Sequence, residues 1–122
     1  FLLTMLDRSN ARNMHSYGFP TAECWSWRFV RVPKVGAIAS LGNTGYGYGV
    51  LGDDCTTGGL DGGITTEFFV QYGQNGLDVL GETYSMTLKS YIDNFGKTNS
   101  GHAKTIQQWV LLGDPSLKIG GY

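Results

Sequence analysis

Apolar positions along this chain fall first into short blocks and later into helical spacing. Phe1-Leu2-Leu3-Thr4-Met5-Leu6 is a compact apolar run of the kind that forms a buried parallel strand. A polar, turn-rich stretch follows from Asp7 to Glu23. Residues Cys24–Val30 form a short helix candidate, with Glu23 near its positive end and Pro33-Lys34 ending it. Val35-Gly36-Ala37-Ile38-Ala39-Ser40-Leu41 reads as the best strand, because it is short, small, apolar and bounded by turn residues. Gly36 and the two alanines imply close packing of a helix on that strand. A loop of glycine, tyrosine and asparagine runs from Gly42 to about Gly59.

The second half is helical in pattern. Asp61 is placed to cap a helix reaching about Tyr72, with Ile64, Phe68 and Tyr72 on one face, and Gln74-Asn75-Gly76 breaks it. Leu77, Leu80, Tyr84, Leu88, Ile92 and Phe95 recur at helical spacing and predict a long amphipathic helix. After a loop over Gly96–Gly101, Ala103, Ile106, Trp109 and Val110 continue a helical pattern into Gly113-Asp114-Pro115-Ser116. There Gly113 can leave a helix, Asp114 can hydrogen-bond the turn and Pro115 blocks continuation, so Leu117-Lys118-Ile119 reads as a short closing strand. Strands separated by helices predict an α/β unit with a parallel sheet covered on both faces. About three strands can be read this way. Such a sheet leaves an edge to be filled, so residues 1–122 read as a partial domain.

Composition narrows the function. At 122 residues the chain is one domain or less, and its start inside an apolar run, without an initiator Met, reads as the later part of a longer polypeptide. Nine Lys and Arg against ten Asp and Glu leave a net charge of -1, which supplies no electrostatic footprint for nucleic acid or an anionic membrane. No run approaches membrane-spanning length, and no signal pattern precedes residue 1. Charged residues make up 16% of the chain and glycines number 19, a composition that suits a loop-rich, secreted protein. Cys24 and Cys55 allow either two packed free thiols or one disulfide, and their spacing does not suggest zinc. Tyr46-Gly47-Tyr48-Gly49 lacks the strand–helix context and trailing lysine of a phosphate loop, which excludes nucleotide binding.

Three segments resemble, in order, the gingipain family of cysteine peptidases. Cys24–Val30 resembles the family's Cys-headed helix. Lys34–Tyr46 (KVGAIASLGNTGY) resembles the strand that ends at Ala-Ser before a pocket loop. Ala103–Ile119 resembles the closing helix with its Gly-Asp-Pro-Ser-Leu strand. The resemblance implies a caspase-like, mostly parallel sheet flanked by helices, present here as the carboxyl-terminal half of the catalytic domain. It implies an extracellular or cell-surface endopeptidase that hydrolyses peptide bonds with a Cys nucleophile and a His base. Its partners would be a peptide or protein substrate and the remaining amino-terminal part of the same polypeptide, or a companion subunit. No cofactor is required for this chemistry, although gingipains bind calcium. Asp53, Asp54 and Asp61 surround a flexible loop that suits a hard cation, but no regular ladder of carboxylates supports more than a solvated loop.

By the same resemblance Tyr46 takes the place of the aromatic wall of the specificity pocket, with Asn43 and Thr44 beside it. The nucleophile register holds Arg8, whose guanidinium is not a nucleophile. Cys24, at a helix start where a thiol pKa falls, is the candidate catalytic residue, although its family counterpart is the second Cys, which is not the nucleophile. The family's base lies in a His-Gly segment upstream. His15 precedes Ser16 and does not match it, and His102 reads as a surface or helix-start histidine. Two readings follow: part of an active cysteine endopeptidase, or a non-catalytic pseudopeptidase serving as a surface or assembly module. A carbohydrate-binding module using Trp25 and Trp27 is a weaker third, because the long helix from Leu77 argues against an all-β fold.

Overall fold

The computed structural model describes residues 25–52 and 57–121. The apolar run 1–6, Arg8, His15, Cys24, Asp53, Asp54 and Cys55 lie outside the described residues. Within them the order is α1 (Trp25–Arg31), β1 (Ala39–Asn43), α2 (Leu60–Gly73), α3 (Leu80–Phe95), α4 (Ser100–Gln108) and β2 (Trp109–Gly113).

The two strands pair antiparallel, from Ala39 opposite Gly113 to Asn43 opposite Trp109. This corrects the expectation of parallel strands for the described part of the sheet. The connection from β1 runs through α2, α3 and α4, and α4 delivers the chain beside Asn43, where β1 finishes. β2 therefore starts at that end and runs back along β1. Trp109 and Val110 fit the helical pattern in the sequence, since a short apolar block fits either period. In the fold α4 stops at Gln108 and the block is extended.

β1 also begins later than predicted. Val35 and Ile38 are exposed, and the segment before Ala39 folds back on α1. Gly36 and Ala37 donate their N–H groups to the carbonyls of Val32 (3.0 Å) and Phe29 (2.9 Å). A side chain at Gly36 would run into those carbonyls. The glycine signals close approach, as read, but to the end of α1 rather than to a helix lying on a strand. Ser40 Oγ donates to the fully buried Ser26 Oγ at 3.1 Å, which ties β1 to α1.

Asp61 does not cap α2 through its side chain. The helix opens at Gly59 with no side-chain cap, and Asp61 lies in its first turn. α3 follows the predicted spacing. Leu80 is buried, and Tyr84 and Leu88 pack on the core formed by Ile64, Phe68, Leu80, Tyr91 and Trp109. The most enclosed side chains of α3 are nevertheless Thr83, Thr87 and Tyr91. The threonines satisfy their hydroxyls locally: Thr83 Oγ1 donates to the Leu77 and Val79 carbonyls, and Thr87 Oγ1 to the Thr83 carbonyl at 2.7 Å.

The closing Gly-Asp-Pro-Ser-Leu segment does not form a named strand, which corrects the reading of residues 117–119. It makes one antiparallel bridge, Lys118 opposite Val79. Its carbonyls cap α3 instead. Leu80 N–H donates to the Leu117 carbonyl (2.9 Å) and Gly81 N–H to the Pro115 carbonyl (2.8 Å). These are first-turn N–H groups that a helix cannot satisfy internally. Gly81 permits the approach, since a Cβ there would lie 2.7 Å from Pro115 Cβ. Asp114 Oδ1 accepts from Ser116 N (2.9 Å) and Oγ (2.7 Å), and an exposed Lys118–Asp78 ion pair at 2.8 Å flanks the contact.

Trp109 sits where the helices meet the sheet. Tyr84 stacks on it (centroids 5.2 Å, 16°), Phe68 meets it edge-on, and Tyr84 OH donates to its carbonyl at 2.8 Å. Trp109→Ala should lower the unfolding free energy by about 3–5 kcal/mol, read from the urea midpoint. Burial pushes the Tyr84 and Tyr91 hydroxyls above their ordinary value of 10.0. Folding then favours their protonated forms, so stability is unaffected below about pH 10 and falls as the pH rises beyond it. Alkaline unfolding followed by circular dichroism should coincide with the ionisation of these tyrosines in the ultraviolet.

Candidate substrate-binding loop

The loop at the carboxyl end of β1 is held by side chains from α2 and α4. Thr44 N–H donates to the Gln108 carbonyl at 2.9 Å, extending the pairing of β1 with the end of α4. Tyr48 is held at three points. Its N–H donates to Asp61 Oδ2 (2.6 Å), its carbonyl accepts from Asp61 N–H (3.2 Å), and its hydroxyl accepts from Lys104 Nζ (2.7 Å). The same ammonium lies 4.9 Å from the Tyr48 ring centroid, within cation–π range.

Two glycines let this backbone lie flat on its supports. A Cβ at Gly45 would be 2.7 Å from Gln108 Oε1. One at Gly47 would collide with the Asp61 carboxylate and lie 3.1 Å from Asn43 Nδ2. Tyr46, between them, points outward with 78% of its surface exposed. The loop is thus fixed on both sides of an unencumbered aromatic ring.

Of the residues singled out in the sequence, Asn43, Thr44 and Tyr46 are neighbours at one strand end but differ in setting. Tyr46 and Thr44 face solvent, while Asn43 is buried beneath the loop. Cys24 immediately precedes α1 in sequence and lies outside the described residues, as does Arg8. His102 is half-buried rather than on the surface. Its Nδ1 is 2.7 Å from Tyr91 OH, and its ring stacks on Phe95 with centroids 5.0 Å apart. Asp61, read as a cap or a cation ligand, engages the loop instead. Among the described residues no cluster of His, Cys, Asp and Glu is placed to hold a metal ion.

Sequence reading missed Lys104 and Gln108. Lys104 gives no local signal, because its partner is distant in sequence. Gln108 stands one helical turn after Thr105, and both are buried. A polar pair at helical spacing just before an apolar block was the available cue. Gln108 Nε2 and Oε1 and Asn43 Oδ1 are buried with no hydrogen-bond partner.

A family model, Peptidase family C25, matches residues 9–120, and the chain belongs to that family, the gingipain family of cysteine peptidases. No curated protein and no solved structure matches the chain.

The clamp on Tyr48 makes Asp61 a positioning residue for the loop. Asp61→Ala should release the Tyr48 N–H at a cost of about 1 kcal/mol in local opening, roughly fivefold faster amide exchange. Exchange in the core of α3 should stay unchanged.

Proposed function

We propose that this chain supplies the substrate side-chain wall of a gingipain-type cysteine endopeptidase, with the catalytic histidine contributed from outside it. The observation that carries the reading is the exposed Tyr46 ring on a clamped glycine loop at the carboxyl end of β1. A flat aromatic face with an available hydroxyl can wall a side chain and still make a polar contact. Glycines on both sides seat the loop on Gln108 and Asp61 and so hold the ring outward.

In this reading a thiolate attacks the scissile carbonyl, and a histidine takes the thiol proton and returns it to the leaving amine. His102 is already engaged with Tyr91 and Phe95, which supports a base from elsewhere. Cys24 is the candidate nucleophile. Completion of a caspase-like domain would use the apolar surface of α1 and the segment after it. Trp25, Phe29 and Val35 are exposed there around a groove of about 460 Å³. An extracellular or cell-surface site of action fits the low charge and high glycine content. Among the described residues no helix is long and apolar enough to cross a membrane.

The second reading, a pseudopeptidase that binds without cleaving, rests on the family resemblance that puts Arg8 at the nucleophile register. Turnover of a fluorogenic peptide that is lost in Cys24→Ala supports the peptidase, whereas binding without turnover supports the second reading. In either case Tyr46→Ala should weaken peptide binding about tenfold and leave the melting temperature nearly unchanged. A loss of stability with no loss of binding would remove Tyr46 from the site.

A further inference from the structure

The turn between α2 and α3 places an amide side chain, that of Asn75, beside an unhindered backbone nitrogen, that of Gly76. The neighbouring N–H groups are all engaged with carbonyls of α2. Gln74 and Asn75 donate to Val70 (2.9 and 3.1 Å), and Leu77 donates to Gln71 (3.1 Å). Gly76 N–H has no such acceptor among the described residues. Gly76 is exposed with φ of 72°, and a Cβ built there would meet nothing within 4 Å, so its nitrogen is open to water. Asn75 is exposed as well. Its side chain is held by one bond, Nδ2 donating to Gln71 Oε1 at 2.9 Å, which water can replace.

We propose that Asn75 is a self-modification site, where the chain converts a neutral amide to a carboxylate with water as co-reactant and thereby weakens the end of α2. Solvent base removes the Gly76 N–H proton, and the nitrogen attacks Asn75 Cγ. A C–N bond forms, the Cγ–Nδ2 bond breaks, and the amide nitrogen leaves as ammonia with a proton from solvent. The product is a cyclic imide. Water then adds to one of its two carbonyls and breaks the C–N bond there. Opening at Cγ leaves aspartate at position 75, and opening at the main-chain carbonyl leaves isoaspartate, with the chain running through the side-chain carbon. The other described asparagines are protected. Asn43 is buried, and the Thr44 N–H after it is bonded to Gln108. Phe95, after Asn94, lies inside α3. Asn99 Oδ1 accepts the Gly101 N–H at 2.8 Å, and the residue after it carries a side chain.

The consequence follows from a polar ladder along α2. Gln71 Nε2 donates to Glu67 Oε1 at 2.6 Å, and Asn75 Nδ2 donates to Gln71 Oε1. A carboxylate only accepts, so Glu67 fixes which way the buried Gln71 amide faces. A carboxylate at position 75 also only accepts, so Gln71 Oε1 would face an acceptor. The new charge would also lie at the negative end of α2.

The test incubates the folded chain in neutral buffer beside a urea-unfolded sample, followed by digestion and mass spectrometry that separates aspartyl from isoaspartyl peptides. In the folded chain Asn75 should convert at close to its rate in urea, and about tenfold or more faster than Asn43, Asn94 and Asn99. Gly76→Ala should slow the conversion about tenfold. Conversion of Asn94 or Asn99 as fast as Asn75 overturns the proposal. So does a folded-state rate far below that in urea, or a Gly76→Ala rate equal to the parent's. Asn75→Asp makes the product directly and should melt about 3–5 °C lower. Glu67→Gln should remove most of that loss, because Gln71 can then turn to serve both neighbours. An Asn75→Asp protein that melts with the parent overturns the weakening of α2.

Discussion

The indole of Trp109 joins the helical layer to the sheet. It is the first residue of β2 and the point at which α4 ends, and it is held by Tyr84, Phe68 and the pairing with Asn43. Aromatic contacts of this size contribute beyond their buried area, and here one ring fixes two elements at once. Because Trp109 pairs with Asn43, its position sets the register of the strand pair. It also sets where Gln108 and the end of α4 lie beneath the loop that follows β1. The candidate site is therefore positioned by a core contact.

A second constraint acts at the other end of β2. The turn after Gly113 brings the Pro115 and Leu117 carbonyls onto the free N–H groups of α3. Gly113 has φ of 143°, and a Cβ there would sit 2.7 Å from that of Ala39, so the chain can leave the strand only through a residue without a side chain. The Gly-Asp-Pro-Ser-Leu segment, one of those that resemble the family, thus has a structural task in this fold. It closes the main helix, and it lies away from the Tyr46 loop.

Helix existence was legible in the sequence because Leu80, Tyr84 and Leu88 repeat at helical spacing and α2 and α3 each run for several turns. Strand direction was not, because it depends on where α4 delivers the chain, a tertiary fact with no local trace. The block at Trp109 misled for a related reason: a short apolar run fits a helix or a strand, and only packing against Tyr84 and β1 separates them. Thr83 and Thr87 escaped notice because their hydroxyls bond backbone carbonyls and so can be buried at little cost. The loop itself was legible from its glycines and from the strand before it. The clamp formed by Asp61 and Lys104 was not, because it joins residues far apart in sequence.

In this member of Peptidase family C25 the proposed substrate wall is the clamped loop that holds Tyr46 outward. The apolar groove around Trp25, Phe29 and Val35 is the other surface a peptide could occupy. Photocrosslinking separates them most directly. A peptide carrying a diazirine side chain, bound to the chain and irradiated, should attach within residues 44–48 when mapped by mass spectrometry. Attachment confined to the α1 groove would contradict the assignment of the loop as the substrate wall.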